Sequence, residues 1–398
     1  MINTGHYRKT TLLLASAVGV AVMLSGCARD PEKKSLSELA VSGTKSMFRT
    51  DSDMQTVLNK FASFDAKAVE KITPAEARMQ PTIADAVKGV LADEKRDSSP
   101  SALVPGVTSR DTVVPGAAGN LPATVYTPTG TGPFPVVLYF HGGGWVFADR
   151  NVYDGGARGL SRQANAVVIS VDYRQAPENK FPAAHDDALA AYRWLTRNAS
   201  SVNGDPKRLA LAGESAGGNL AVATAVAAHK AGLTQPKHVL AVYPVAQSDT
   251  NTESYMKYAD AAPLNRPMML WFINNVTKSP ADVKDPRIDL VHADLKGLPP
   301  VTVINAEIDP LRDDGAQLET ALRRAGVSVE RQVYSGVTHE FFGTAAVVAK
   351  AQQAQEYAGQ RLKADLKSAR AWTASKWVTL SVCHSTLAVG FAKTVRRA

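Results

Sequence analysis

The chain has 398 residues, 45% of them hydrophobic and 21% charged, with two cysteines. These proportions describe a globular protein and exclude a disordered, collagen-like or disulfide-stapled one. The length suits one large α/β domain with an accessory element, or two modest domains, and no apolar run supports a multi-span membrane protein. The formal charge of +8 sits at the two ends. Residues 1–26 carry Arg8 and Lys9 with no acid, residues 367–398 carry six basic residues with no acid, and the body between them is neutral. A neutral body offers no electrostatic footprint for nucleic acid, which is excluded as a partner.

In chain order, Arg8 and Lys9 precede an apolar run from Thr11 to Leu24 and then small residues, the pattern of an export signal over residues 1–26. At about 14 residues the run is too short to span a bilayer comfortably. It ends Leu24-Ser25-Gly26-Cys27, which resembles a bacterial lipoprotein lipobox. The resemblance implies cleavage before Cys27 and lipidation of that residue, so that the membrane is a partner through the anchor while the body stays in water. Ala28, where an aspartate would favour inner-membrane retention, implies an exported protein on the outer membrane or facing the periplasm of a Gram-negative host. The plainer alternative is an ordinary signal peptide that happens to contain Cys27. Residues 27–50 are polar and read as a tether.

Residues 51–100 read as a helical cap region. Met54, Val57, Leu58 and Phe61 recur at helical spacing. Thr73-Pro74-Ala75-Glu76 is a capping box with proline at the first helical position. Pro81 is expected to end that helix, and Ile83 to Leu91 gives a further amphipathic stretch. These helices either pack on the body or form a lid over a binding site. After a break at Asp97-Ser98-Ser99-Pro100, residues 101–366 read as a catalytic domain. Strand-like runs lie at Ala123–Tyr126, Val136–Phe140, Val167–Tyr173, Leu209–Ala212, Val239–Val245, Val301–Ala306 and Val329–Tyr334. Helical stretches, including Ala183–Leu195, Ala216–Ala231 and Gly315–Ala325, separate the later ones. Nearly continuous apolar strands alternating with helices predict an α/β fold whose mostly parallel sheet is covered on both faces. Residues 367–398 form a basic tail with no clear period and no assigned role.

Gly213-Glu214-Ser215-Ala216-Gly217 follows one apolar run and precedes an alanine-rich helical stretch, the strand–turn–helix setting of a nucleophile elbow. The pentapeptide alone is a weak signal. His141-Gly142-Gly143-Gly144-Trp145 follows another strand, and its glycines leave backbone N–H groups free to face an oxyanion, at roughly 3–4 kcal/mol per donor in the transition state. A flexible turn or a phosphate nest is the ordinary alternative, but no Gly-Lys-Ser/Thr or G-x-G-x-x-G continuation follows. A serine hydroxyl needs a base, and the base an orienting acid. Of eight histidines, His339 lies after the last strand-like run, where catalytic groups of α/β sheets gather. His185, His229 and His238 lie on or beside helices and read as solvated or core residues. For the acid, Asp309 closes the strand Val301–Ala306, with Glu307, Asp313 and Asp314 as competitors. The order Ser215, Asp309, His339 is that of an α/β hydrolase.

Taken with Asp309-Pro310-Leu311-Arg312-Asp313, His339-Glu340-Phe341, Asp172-Tyr173-Arg174-Gln175-Ala176-Pro177-Glu178 and Asp285-Pro286-Arg287, these motifs resemble the hormone-sensitive-lipase-like family of bacterial esterases (lipolytic family IV). The likeness covers about residues 53–365. It implies an α/β-hydrolase fold with an N-terminal helical cap, Ser215 as nucleophile, His339 as general base and then acid, and Asp309 as the orienting acid. It further implies an oxyanion hole from the N–H groups of Gly143, Gly144 and Ala216, and a cap that shapes the acyl pocket. Glu214 departs from the aspartate often found there. The expected activity is a serine carboxylesterase acting on short- to medium-chain acyl esters of small molecules, with no cofactor and no metal. Lactones, amides or polyester fragments are the alternative substrates, and a catalytically silent binding protein or an attachment role the alternative classes. The oligomeric state stays open, a homodimer being one option.

Overall fold

The computed structural model describes residues 49–367. The expected signal, Cys27, all but the end of the tether and the tail beyond its first residue lie outside the described residues. The N-terminal helices are α1 (Ser52–Ala62), α2 (Pro74–Ala77), α3 (Ile83–Asp93) and α4 (Pro100–Leu103). Strands β1 (Val107–Pro115), β2 (Asn120–Pro128) and β3 (Phe134–Phe140) follow, then α5 (Asp154–Ala164), β4 (Val167–Val171), α6 (Ala183–Asn198) and β5 (Gly204–Glu214). The chain continues through α7 (Ala216–Lys230), β6 (His238–Val242), α8 (Glu253–Lys257), α9 (Arg266–Val276), β7 (Val301–Ile308), α10 (Arg312–Arg324), β8 (Val329–Thr338) and α11 (Ala349–Asp365).

The eight strands form one sheet in the order β1-β2-β4-β3-β5-β6-β7-β8. The β1–β2 and β2–β4 pairs are antiparallel and every other pair is parallel. Alternation along a strand divides the core. In β3, Val136, Leu138 and Phe140 join the face covered by α6, α7 and α10, while Val137 and Tyr139 join the face covered by α5 and α11. All five are fully buried, which is why the strand is uniformly apolar in sequence.

Three elements differ from the sequence expectation. Strand β1 carries no apolar run because it lies at the sheet edge, and only Val107 and Val114 are buried. Helix α2 is a single turn that stops at Ala77, ahead of Pro81, although its capping box at Thr73 and Glu76 is formed. Helix α5 contains Gly155, Gly156 and Gly159, which weaken its helical signature. They are there for space: a Cβ at Gly159 would lie 2.0 Å from Gln355 Oε1, and one at Gly359 would lie 2.5 Å from Gln163. The α5–α11 crossing is therefore closer than side chains would permit.

Asp187, fully buried in α6, ties the sheet edge to the body. Its carboxylate accepts from Arg174 Nε at 2.8 Å, from Arg174 Nη2 at 3.0 Å, and from the N–H groups of Arg174 and Ala117. Replacing Asp187 by alanine strands two backbone donors and a guanidinium, a loss of about 3 kcal/mol. We expect a matching drop in the urea midpoint of Asp187→Ala at unchanged slope.

Candidate active site

The groups singled out in the sequence converge at the carboxyl ends of the parallel strands, where open α/β sheets place their ligands. Ser215 follows β5, Asp309 follows β7, His339 follows β8, and the glycine loop 142–144 follows β3. Ser215 has φ 56° and ψ −117°, a backbone conformation that a non-glycine residue holds only under constraint, at about 1–3 kcal/mol. The glycines on either side make the turn sterically possible. A Cβ at Gly213 would lie 2.2 Å from the Gly217 carbonyl oxygen, and one at Gly217 would lie 2.0 Å from that of Phe140.

His339 Nε2 lies 3.0 Å from Ser215 Oγ, and His339 Nδ1 lies 2.8 Å from Asp309 Oδ2. All three residues are buried. The competing acids are engaged elsewhere. Glu307 accepts from the Gly336 N–H, Asp313 from the Ser254 N–H, and Asp314 from the N–H groups of Ala246 and Gln247 and from Gln247 Nε2. Burial pushes the Asp314 carboxyl up to about 8, against the lowering by those N–H donors. Burial by itself would lower the His339 imidazole, but the Asp309 carboxylate beside it, helped by Glu340, outweighs that and leaves it raised.

Gly143 and Gly144 take φ 88° and 58°. Among the described residues their N–H groups have no protein acceptor. Ala216 opens α7 with its N–H in the unpaired first turn, at the positive end of the helix dipole. These are the three donors expected at an oxyanion hole. His141 is buried and stacked on Tyr173 at 4.4 Å, a packing role. His185, on α6, meets Asn219 Oδ1 through Nε2, whereas His238 opens strand β6 instead of lying beside a helix and sits between Asp365 and Thr302; both are buried, the core rather than the solvated alternative.

An acid–tyrosine network around the serine has no signature in the sequence. Glu214 accepts from the hydroxyls of Tyr139 and Tyr243. Glu340, in the left-handed region at φ 69°, accepts from Tyr153 Oη at 2.6 Å and stands 4.0 Å from His339 Nε2. The Tyr243 ring lies against the His339 ring at 4.4 Å. Burial pushes Glu214 up to about 8 against the ordinary 4.5. It also raises Glu340, although His339 and Tyr153 oppose the rise.

The opening above Ser215 is lined by Phe61, Ala77, Arg78 and Ile83 from the N-terminal region, and by Leu264, Met268 and Phe272 from α9 and the loop before it. Cover over the site thus comes from two parts of the chain, where the sequence pointed to residues 51–100 alone. They are joined at Trp271, whose Nε1 donates to the Ile72 carbonyl at 3.1 Å. Arg78 holds the N-terminal part to the body through the carbonyls of Val146 and Ala176 and both oxygens of Glu178. Among the described residues no group of three or more His, Cys, Asp or Glu side chains could hold a metal ion.

Residues 137–343 match the family model of the alpha/beta hydrolase fold. A carboxylesterase of Mycobacterium tuberculosis is 38% identical over 280 residues, covering 69% of this chain and 88% of that protein. The chain belongs to the hormone-sensitive-lipase-like family of α/β hydrolases. It is a carboxylic ester hydrolase. An ethyl acetate hydrolase of Pseudomonas putida is 34% identical over 284 residues, covering 70% of this chain and 86% of its own. Among solved structures, a thermostable esterase of Pseudomonas putida superimposes with a TM-score of 0.70 at 31% identity, covering 79% of this chain and 98% of that one. An esterase of Pyrobaculum calidifontis gives 0.68 at 32% identity, covering 76% and 97%.

The raised Glu214 carries a linkage prediction. Its carboxyl is protonated in the folded chain and ionised in the unfolded one between about pH 4.5 and 8, so its contribution to stability is complete below 4.5 and lost as pH rises through 8. Glu214→Gln, which mimics the protonated form, is expected to lose less stability than wild type between pH 5 and 9 in urea titrations. A Glu214→Gln profile parallel to wild type is the contrary result.

Proposed function

We propose that the protein is a serine carboxylesterase that hydrolyses short- to medium-chain acyl esters of small molecules through an acyl-enzyme on Ser215. The observation that carries this reading is the unbroken line Ser215 Oγ, His339 Nε2, His339 Nδ1, Asp309 Oδ2, with hydrogen-bond spacing at both steps. His339 takes the serine proton as Oγ attacks the ester carbonyl, and the N–H groups of Gly143, Gly144 and Ala216 receive the developing oxyanion. His339 Nε2 then protonates the leaving alkoxide, which departs as alcohol. A water, activated by the same nitrogen, releases the acid and restores the serine. Asp309 keeps Nδ1 protonated and the ring in the required tautomer. The N-terminal helices and α9 together act as the cap. Export and a lipid anchor at Cys27, with the outer membrane or the periplasmic face as the address, belong to the same proposal.

Ser215→Ala is expected to abolish turnover of p-nitrophenyl acetate while keeping the wild-type circular dichroism spectrum and melting temperature. Asp309→Asn should lower kcat by about 10⁴-fold, as loss of the orienting acid does elsewhere, whereas Asp313→Asn should stay near wild type. The opposite ranking of these two would reassign the acid. Because His339 must be neutral to act as base and is raised in the free enzyme, the acid limb of kcat/KM should fall off at a pH above the ordinary imidazole value of 6.5. A limb below 6.5 would contradict the role given to Asp309.

A further inference from the structure

Glu340 stands beside the reacting groups and follows His339 directly in the chain. It takes φ 69°, the left-handed region that glycine holds freely and glutamate only at a cost. Its Oε1 accepts from Tyr153 Oη at 2.6 Å and lies 4.0 Å from His339 Nε2. Tyr153 is buried, and its hydroxyl lies where a Gly142 side chain would go, 2.2 Å from that Cβ position. The carboxyl is thereby held from the oxyanion loop. It faces the opening above Ser215 together with Tyr153, His339, Gly143 and Gly144. The other polar side chains of that wall are engaged elsewhere. Arg78 donates to Val146, Ala176 and Glu178, Gln80 accepts from the Lys67 N–H, and Thr82 caps α3 by accepting from the Asp85 N–H.

A water that attacks the acyl-enzyme has two hydrogens to place. One goes to His339 Nε2, which acts as base. The other needs an acceptor if the water is to be held in line with the acyl carbon. Two hydrogen bonds of about 2.8 Å that meet at one water oxygen span about 4.0 to 4.5 Å, and Nε2 and Oε1 are 4.0 Å apart. Oε1 has a lone pair beyond the one that Tyr153 uses. An alcohol at the same point has a single hydroxyl hydrogen, which Nε2 takes, and gains nothing from Glu340. We infer that Glu340 holds the hydrolytic water in the deacylation step and so favours water over alcohol as acceptor of the acyl group. This rests on the esterase reading above and adds a residue to its second half. The water oxygen bonds to the acyl carbon, and one of its protons passes to Nε2. The bond from that carbon to Ser215 Oγ then breaks, Oγ takes the proton from Nε2, and the carboxylic acid leaves with the second hydrogen. Glu340 accepts a hydrogen bond throughout and takes no proton.

The test follows p-nitrophenyl acetate on the alkaline plateau of kcat/KM, where a change in the His339 limb does not enter. Glu340→Ala is expected to keep acylation, so that kcat/KM stays within about twofold while kcat and KM fall together by on the order of tenfold. Stopped-flow traces should then show a p-nitrophenol burst of about one equivalent per enzyme ahead of the slow steady state. With methanol added, the ratio of methyl acetate to acetate should rise by about tenfold in the same variant. Glu340→Gln should recover most of both readouts, because the Tyr153 hydroxyl selects the amide oxygen for the Oε1 position. Tyr153→Phe, which keeps the ring and releases the carboxyl, should move both readouts in the direction of Glu340→Ala by a smaller factor. A fall in kcat/KM at unchanged KM in folded Glu340→Ala and Tyr153→Phe, or a methyl acetate ratio equal to wild type, would overturn the role of Glu340 and leave the esterase intact. Absence of any turnover by the wild-type enzyme would overturn the esterase reading, and the role of Glu340 with it.

Discussion

The arrangement depends on one steric constraint, the passage of the chain from β5 into α7 through a residue at positive φ. Backbone atoms of Gly213, Gly217 and Phe140 approach so closely there that no side chain fits between them. That approach lifts Ser215 out of the sheet plane and points α7 at the same spot. The Ser215 N–H is fixed to the Val242 carbonyl at 2.9 Å, and its carbonyl accepts from Val245 N–H at 3.2 Å. The turn is thus held by the neighbouring strand β6 and the loop after it, and its strain is met by packing outside the turn. The other site groups need only end their own strands at the right height, which the parallel register of β3, β5, β6, β7 and β8 ensures.

Around the catalytic groups the protein keeps three carboxyls in surroundings that do not favour charge. Glu214, Glu340 and Asp314 are all shifted toward the neutral form, chiefly by burial. Asp309 is thereby the acid that directly faces the imidazole, and the remaining carboxyls serve as hydrogen-bond partners. The phenols of Tyr139, Tyr243 and Tyr153 supply donors to Glu214 and Glu340 without adding positive charge, which would compete with Asp309 for influence over His339.

The sequence disclosed what repeats or punctuates. The β3 and β5 runs, the Gly213–Gly217 turn and the glycine loop were legible because each is a local requirement of backbone geometry. The acid was harder: Glu307, Asp309, Asp313 and Asp314 crowd within eight positions, and only the tertiary hydrogen bonds separate them. Strand β1 was invisible because an edge strand need not be apolar on either face, and α5 because glycines needed for close crossing erase helical propensity. Arg78, Phe272 and Tyr153 left no signal. Their roles arise from contacts across 68 to 187 residues, which no spacing rule encodes.

The N-terminal helices illustrate how sequence order and structural order can run opposite ways. Asp51 N–H donates to the Gly336 carbonyl, the Asp51 carboxylate pairs with Lys350, and Asp53 Oδ2 accepts from the Ala349 N–H, 296 residues away. The first part of the described chain to leave the ribosome is therefore among the last to find its seat. Until β8 and α11 exist, the apolar residues Met54, Val57 and Leu91 can pack only between α1 and α3 and lack the rest of the surface they cover. The emerging polypeptide carries the remaining apolar area of these helices exposed for nearly the whole of its synthesis, the condition under which aggregation competes with folding.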